Sequence, residues 1–384
     1  MYKQLAEEIY YKALNKVKAS ALIKDNVSLK ENVLQLVNQH YVLEPKTKIY
    51  VFGAGKAALA MAKECELLLG ERIQGGVVVS HETGSLQYCR HLTATHPLVS
   101  EKSIHAGSEL IQAMSAMEPD AVFIFLLSGG ASAMIEKPVQ GITLDDFTKI
   151  SMALLTSGID IKALNTVRKA ISQIKGGKLA DVVKAKGEVL VLSDVIGDDL
   201  NTIGSAPMYN GKYKHHLIGN NTVALKEALK FVEDKVAVAK IITTTLDCSS
   251  EEATQIVKKH IQEYDAKHQS FCLLLGGETT TVVKGTNGYG GRNQELALRL
   301  LLEGVVTENI SILSAGSDGI DGRSEATGAY IDATIYEQIK IKQLNPKHYL
   351  EASDSNTFFK ALGYDFVTGI TGTNVMDFII ILKL

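Results

Sequence analysis

A repeated phrase restricts this chain more than any other feature: a short apolar run ends in glycine, and a helical pattern follows. The phrase appears as "KIYVFGAGK", "GGVVVSHETG", "AVFIFLLSGG" and "VLVLSDVIG". It returns as "KIITTT", "SFCLLLGG", "NISILSAGSDG" and "FVTGITGTN", the last leading to "DFIIILKL". Short apolar runs without alternation belong to strands covered on both faces. Stretches between them, such as "AALAMAKECELLLG" and "SSEEATQIVKKHIQEYDAKH", read as helices. This rhythm predicts an α/β fold of mostly parallel sheets.

At 384 residues and 46% hydrophobic content the chain exceeds one ordinary domain and can fill two cores. The rhythm breaks at "GSAPMYNGKYKHH", where Pro207, Gly211 and a polar, basic run intervene. Domain one is therefore expected over 1–212 and domain two over 213–384. The irregular stretch near 81–100 reads as a surface loop. A net charge of −3 with dispersed lysines gives no footprint for nucleic acid or an anionic membrane. No apolar run reaches the ~18 residues of a membrane span. The opening "MYKQLAEEIYYKALNKVKAS" reads as an amphipathic helix with acidic residues, not a signal peptide. Cys65, Cys89, Cys248 and Cys272 form no CxxC pair, which suits free thiols in a reducing cytoplasm.

In open parallel sheets ligands collect at the carboxyl ends of strands. Four such ends carry glycine pairs here: Gly53 and Gly55, Gly129 and Gly130, Gly276 and Gly277, Gly316 and Gly319. Glycine lets backbone N–H groups approach a phosphate closely. Their spread over both halves points to a phosphate-bearing ligand in a cleft between domains. "GAGKAA" is not a Walker A loop, and it fits a dinucleotide fingerprint only loosely, because "VVVSHE" brings no clear acidic residue to the next strand tip. Lys56 is expected in the first helical turn, where a cation is mildly unfavourable unless a ligand anion compensates it; a solvated surface lysine is the plain alternative. Asp194, Asp198 and Asp199 follow a buried run and suit Mg²⁺ through its water shell, or simple turn chemistry. Glu278, Thr279 and Thr280 end another run. Asp318 can accept a proton from a substrate hydroxyl, bind metal, or merely form a turn, and Asp321 is placed similarly. Arg168, Lys169, Lys175 and Lys178 surround Gly176–Gly177 and either face the ligand or form a solvated face. His81 and His96 fall in loops, and His215 and His216 point to opposite faces if in a strand. No nucleophile elbow is present. In "GTNGYGGRNQELAL", Gly288, Gly290 and Gly291 permit a tight turn that presents Arg292. Asn293, Gln294 and Glu295 then open a helix anchored by Leu296, Leu300 and Leu301.

In order, "GAGKAA..MA", "HP" at His96–Pro97, "LLSGGASAM", "LNTVRKAISQIKGGKLA", "VLSDVIGDD", "LLLGGETT", "GYGGRNQELAL", "SAGSDGIDG" and "TGTNVMD" cover nearly the whole chain. Together they resemble the type II glycerate kinases, the glycerate 2-kinase family with a MOFRL-type C-terminal domain. The resemblance implies a Rossmann-like N-terminal domain, a second three-layer α/β domain and an active site between them. It implies ATP-dependent phosphorylation of D-glycerate at the 2-hydroxyl, with Mg²⁺. The family's important lysine, arginine and aspartate match Lys56, Arg292 and Asp318, taken as catalytic. Lys56 and Arg292 would neutralise the γ-phosphoryl and the glycerate carboxylate, and Asp318 would orient or deprotonate the hydroxyl. Phosphate binding is assigned to Gly53, Gly55, Ser128, Gly129, Gly130, Ser132, Gly277, Glu278 and Thr279, and the metal shell to Asp194 and Asp198. Two departures touch nucleotide contacts: Ala131 replaces the usual third glycine, and "LNTIGSAPMYN" replaces a proline-led SGPT-like segment. The rivals are an NAD(P)H-dependent hydroxypyruvate reductase and a non-catalytic sugar-phosphate sensor. Glycerate and ATP are the expected partners; a homodimer is left open.

Overall fold

A computed structural model describes residues 2–156, 161–284 and 288–384. The chain divides into two compact units, Ala19–Gly219 and Met1–Lys18 joined with Asn220–Leu384.

The first unit opens with a small antiparallel meander, β1 (Val27–Lys30), β2 (Val33–Leu36) and β3 (Gln39–Val42), absent from the sequence reading. Its main sheet holds β4 (Ile49–Ala54), β5 (Ile73–Gly75), β6 (Val77–Ser80), β7 (Arg90–Thr93), β8 (Val122–Ser128), β9 (Lys186–Leu192) and β10 (His215–Gly219). The order is β10-β9-β8-β4-β6-β7, with β5 also on β4, and every pairing is parallel. The chain fills one flank of β4, then crosses back to lay β8, β9 and β10 on the other. Both faces are covered: Phe123, Phe125 and Leu127 pack into one core, and the alternating Ile124 and Leu126 are equally buried. The expected loop near 81–100 contains β7, a short strand too polar to read as one.

The second unit carries β11 (Val238–Ser249), β12 (Phe271–Thr280), β13 (Ile310–Gly316), β14 (Gly328–Ile331), β15 (Asp365–Phe366) and β16 (Asp377–Lys383), in the order β11-β12-β16-β13-β14-β15. Only β11 and β12 run parallel; the last strand inserts antiparallel between β12 and β13. The sequence predicts mostly parallel sheets; the main sheet of the first unit fits this and the second unit's sheet is largely antiparallel, because an apolar run such as the "FIIIL" of "DFIIILKL" carries no mark of direction. Helices Ser250–Asp265 and Arg292–Leu302 cover the face bearing Ile379 and Ile381. Tyr10 of the helix Tyr2–Lys16 packs edge-on against Phe378, which alternation places on the other face. The result is three layers.

The unit division differs from a seam at 212/213. β10 is hydrogen-bonded to β9 and so completes the first sheet, while Tyr2–Lys16 packs on the second. Among the described residues no helix is long and apolar enough to cross a membrane. The four cysteines are free thiols, three of them buried.

Candidate active site

In the first unit β4 and β8 lie side by side where the chain reverses flank, the place where an open α/β sheet leaves a crevice. Their following loops are laced together. Lys56 N–H donates to the Gly129 carbonyl at 2.9 Å, and Ala57 N–H donates to Ser128 Oγ at 3.0 Å. Gly55 has φ +126°, and a Cβ there would lie 2.3 Å from Ser128 Oγ. A Cβ on Gly129 would lie 1.8 Å from an Asp194 carboxylate oxygen, so Asp194 sits directly over that glycine. His96 Cδ2 lies 3.0 Å from the Cβ position of Gly130, and the rings of His96 and His81 are 6.4 Å apart. Burial first, then the charges of Lys56 and His81, pull the His96 pKa below its ordinary value, which keeps the imidazole neutral at pH 7.

These contacts gather Lys56, Ser128, Gly129, Gly130 and Asp194 at one end of the sheet. The helix begins at Ala58, so Lys56 stands in the turn ahead of it rather than in its first turn. The Ser128 hydroxyl serves to tie the two loops together. Asp198 follows in the same loop with φ +56°, and Asp199 spends its carboxylate on Asn201 and Thr202. Among the described residues no group of three or more His, Cys, Asp or Glu side chains is spaced to hold a metal.

In the second unit the register sets Asp377 opposite both Gly277 of β12 and Gly316 of β13. Arg292, first residue of its helix, reaches this point. Its Nε and Nη2 donate to the two Asp377 oxygens at 2.6 and 2.9 Å, and Nη1 meets Glu278 Oε1 at 2.6 Å. Burial alone would lower the guanidinium pKa, but Asp377 and Glu278 hold it above its ordinary value. Asp318 and Asp377 carboxylate oxygens lie 3.1 and 3.5 Å from the Cβ position of Gly316. Asp318 also accepts from Ile320 N–H at 3.2 Å, the turn contact weighed as its plain alternative. Arg292, Glu278 and Asp318 are thus neighbours. Glu278, Thr279, Gly290, Gly291 and Arg292 line a cavity of about 350 Å³.

The sequence assigns Asp377 no role and names Asp321 only as placed like Asp318. Asp321 is buried and accepts from the backbone N–H groups of Asn293 and Gln294 at 3.0 and 2.9 Å, capping the Arg292 helix from another loop. Burial pushes its carboxyl up to about 6 against those hydrogen bonds. Gly291 makes room for it: a Cβ there would sit 2.3 Å from Asp321 Oδ1. The only sequence signal for either carboxylate was its place in a glycine-rich motif, "SDGIDG" or "TGTNVMD".

Comparison with known proteins identifies the family. Residues 5–240 match the domain of unknown function DUF4147, and residues 271–377 match the MOFRL family. The chain is 37% identical to the D-glycerate 2-kinase of Thermotoga maritima, with 87% of this chain and 90% of the relative covered. It is 33% identical to the glycerate 2-kinase of Pyrococcus horikoshii, with 90% of each covered. A putative hydroxypyruvate reductase of Agrobacterium vitis is 30% identical, over 87% of this chain and 86% of its own length. The crystal structure of Thermotoga maritima glycerate kinase is similar with a TM-score of 0.90 at 33% identity, covering 100% of this chain and 99% of that one. The chain, which joins a DUF4147 domain to a MOFRL domain, belongs to the glycerate 2-kinase family.

Proposed function

We propose that this protein is a D-glycerate 2-kinase, transferring the γ-phosphoryl group of ATP to the 2-hydroxyl of D-glycerate to give 2-phosphoglycerate and ADP. The supporting observation is the pair of glycine-lined strand-tip clusters, one with Lys56 and one with Arg292 and Asp318, in a chain 37% identical to a D-glycerate 2-kinase. Phosphoryl transfer needs positioning and charge neutralisation more than covalent chemistry. Lys56 supplies a cation beside the amides of Gly53, Gly55, Gly129 and Gly130, with Ser128 ending the strand before the second turn and Ser132 in the short helix Ala131–Met134 after it. Glu278 and Thr279 line the cavity beside Arg292, whose volume suits a small ligand or part of a nucleotide, and Gly277 precedes them on β12. Arg292 faces the transferring group. Asp318 takes the proton as the substrate oxygen bonds to phosphorus and the bond to the ADP oxygen breaks. That proton then passes to solvent.

Asp194 and Asp198 would hold Mg²⁺. One or two carboxylates with phosphate oxygens and water complete its shell in such sites, and the Asp194 carboxylate stands over Gly129 at the strand-tip turn. When bound it screens the phosphate charges. Free, buried thiols suit a reducing, cytoplasmic setting.

The test uses the purified chain with ATP, Mg²⁺ and D-glycerate. The expected result is ADP release with 2-phosphoglycerate identified by phosphorus NMR. NADH oxidation with hydroxypyruvate, and no ADP from glycerate, would overturn the reading in favour of a reductase.

A further inference from the structure

A cavity of about 140 Å³ adjoins the Gly129–Gly130 turn in the first unit. Ser132 follows that turn, and Pro97 follows His96, whose ring touches the Gly130 position. The floor of the cavity is Lys175, 1% exposed and ion-paired with the fully buried Glu136. Ser172 Oγ also donates to Glu136, at 2.5 Å, and the Lys175 ammonium lies 5.2 Å from the centre of the Phe147 ring. Lys175 thus neutralises Glu136, the acidic group it meets among the described residues.

Arg168 also lines the cavity. Among the described residues its guanidinium makes no hydrogen bond and no ion pair; only the fields of Glu136 and Lys175 reach it. The other cations of "LNTVRKAISQIKGGKLA" are spent inside the fold. Lys169 donates to the Asn201 carbonyl at 2.9 Å, and Lys178 donates to the carbonyls of Lys169 and Ser172 at 2.7 and 2.6 Å. Arg168 is half-buried, and that burial pulls its pKa down while Glu136 pulls it back up. Ser151 Oγ, also lining the cavity, is a buried hydroxyl without a hydrogen-bond partner among the described residues. Among the described residues two cations, Lys175 and Arg168, and one carboxylate, Glu136, leave a single positive charge. The space is close to the roughly 150 Å³ that admits a benzene-sized molecule, far too little for a nucleotide.

We propose that this cavity is the acceptor subsite, in which Arg168 grips the carboxylate of a small 2-hydroxy acid with two parallel N–H bonds. The inference rests on the kinase reading above and sharpens it: the carboxylate goes to Arg168, and Arg292, already committed to Asp377 and Glu278, is left for the phosphoryl group. The apolar walls of Leu98, Phe147 and Met152 restrict the acid to a short chain.

The experiment compares wild type, Arg168→Gln and Arg168→Lys as purified full chains. Steady-state kinetics give KM for D-glycerate and for ATP. Calorimetry without nucleotide titrates lactate and inorganic phosphate. Arg168→Gln is expected to raise KM for glycerate roughly 30-fold or more, to leave KM for ATP within about twofold, and to abolish lactate binding. Arg168→Lys keeps the charge but not the fork, so its KM for glycerate is expected to rise about tenfold; it decides the matter if the glutamine variant does not fold. An unchanged KM for glycerate overturns the proposal. So does a rise confined to ATP, or loss of phosphate binding with lactate binding intact, since either makes this a phosphate site. If wild type forms no 2-phosphoglycerate the kinase reading fails separately, and the lactate titration still judges the cavity.

Discussion

Arg292 spends three N–H groups inside the protein, on Asp377 and Glu278, and keeps two of its five for a ligand. A guanidinium fixed this way loses little freedom when it meets a phosphoryl oxygen. Removing a charge contact that acts in the transition state costs about 3–4 kcal/mol, by analogy with oxyanion donors. Lys56→Ala or Arg292→Ala is therefore expected to cut kcat/KM by about two to three decades in steady-state assays; near-wild-type turnover would remove that residue from the mechanism. Asp377→Asn leaves Arg292 in place but loosens it. The Arg292 side chain is 29% exposed, so the stability loss should fall below the ~3–5 kcal/mol of a fully buried pair, at about 2 kcal/mol by urea denaturation. The same variant should lower kcat more than it changes KM for ATP. The sequence singled out Lys56 and Asp318 by their glycine-rich strand-tip loops and Arg292 by the glycine-rich turn before its helix. Asp377 was not, because its partner Arg292 lies 85 residues earlier and no spacing rule joins them.

At the scale of the element, the helix Arg292–Leu302 shows why its approach is rich in glycine. Gly291 leaves space for Asp321, which supplies the cap that no residue of the helix's own N-cap provides. The folded-state pKa of Asp321, about 6, exceeds the ~3.9 of an unfolded aspartate. Its contribution to stability is therefore fully present below pH ~4 and is lost as pH rises through about 6. The stability gap between wild type and Asp321→Asn should shrink from pH 4.5 to pH 7 in urea titrations. A gap that stays nearly constant instead would mean the amide hydrogen bonds hold Asp321 ionised throughout. The helix and its core leucines were readable from period alone: Leu296, Leu300 and Leu301 are all buried. The cap was not, since it comes from a loop beyond the next strand.

At the scale of the whole molecule, the first eighteen residues belong with the C-terminal unit. Tyr10 is fully buried, stacks edge-on against Phe366 and Phe378, and donates its hydroxyl to the Gly316 carbonyl at 2.8 Å, one residue from the Asp318 loop. Tyr10→Ala should cost about 3–5 kcal/mol, as for other large aromatic truncations. Hydrogen exchange should show lost protection in β13, while β4 and β8 stay protected; equal loss in both units would contradict the division. Local pattern determined the class of this protein: apolar runs, glycine ends and helical periods act over a few residues, so they are written in the order of the chain. Strand direction in the second sheet, the return of the N-terminal helix, the Asp377 clamp and the Arg168 cavity were decided only by tertiary structure. Each joins groups distant in sequence, and which distant groups meet depends on how whole faces bury against one another, a sum no short stretch contains.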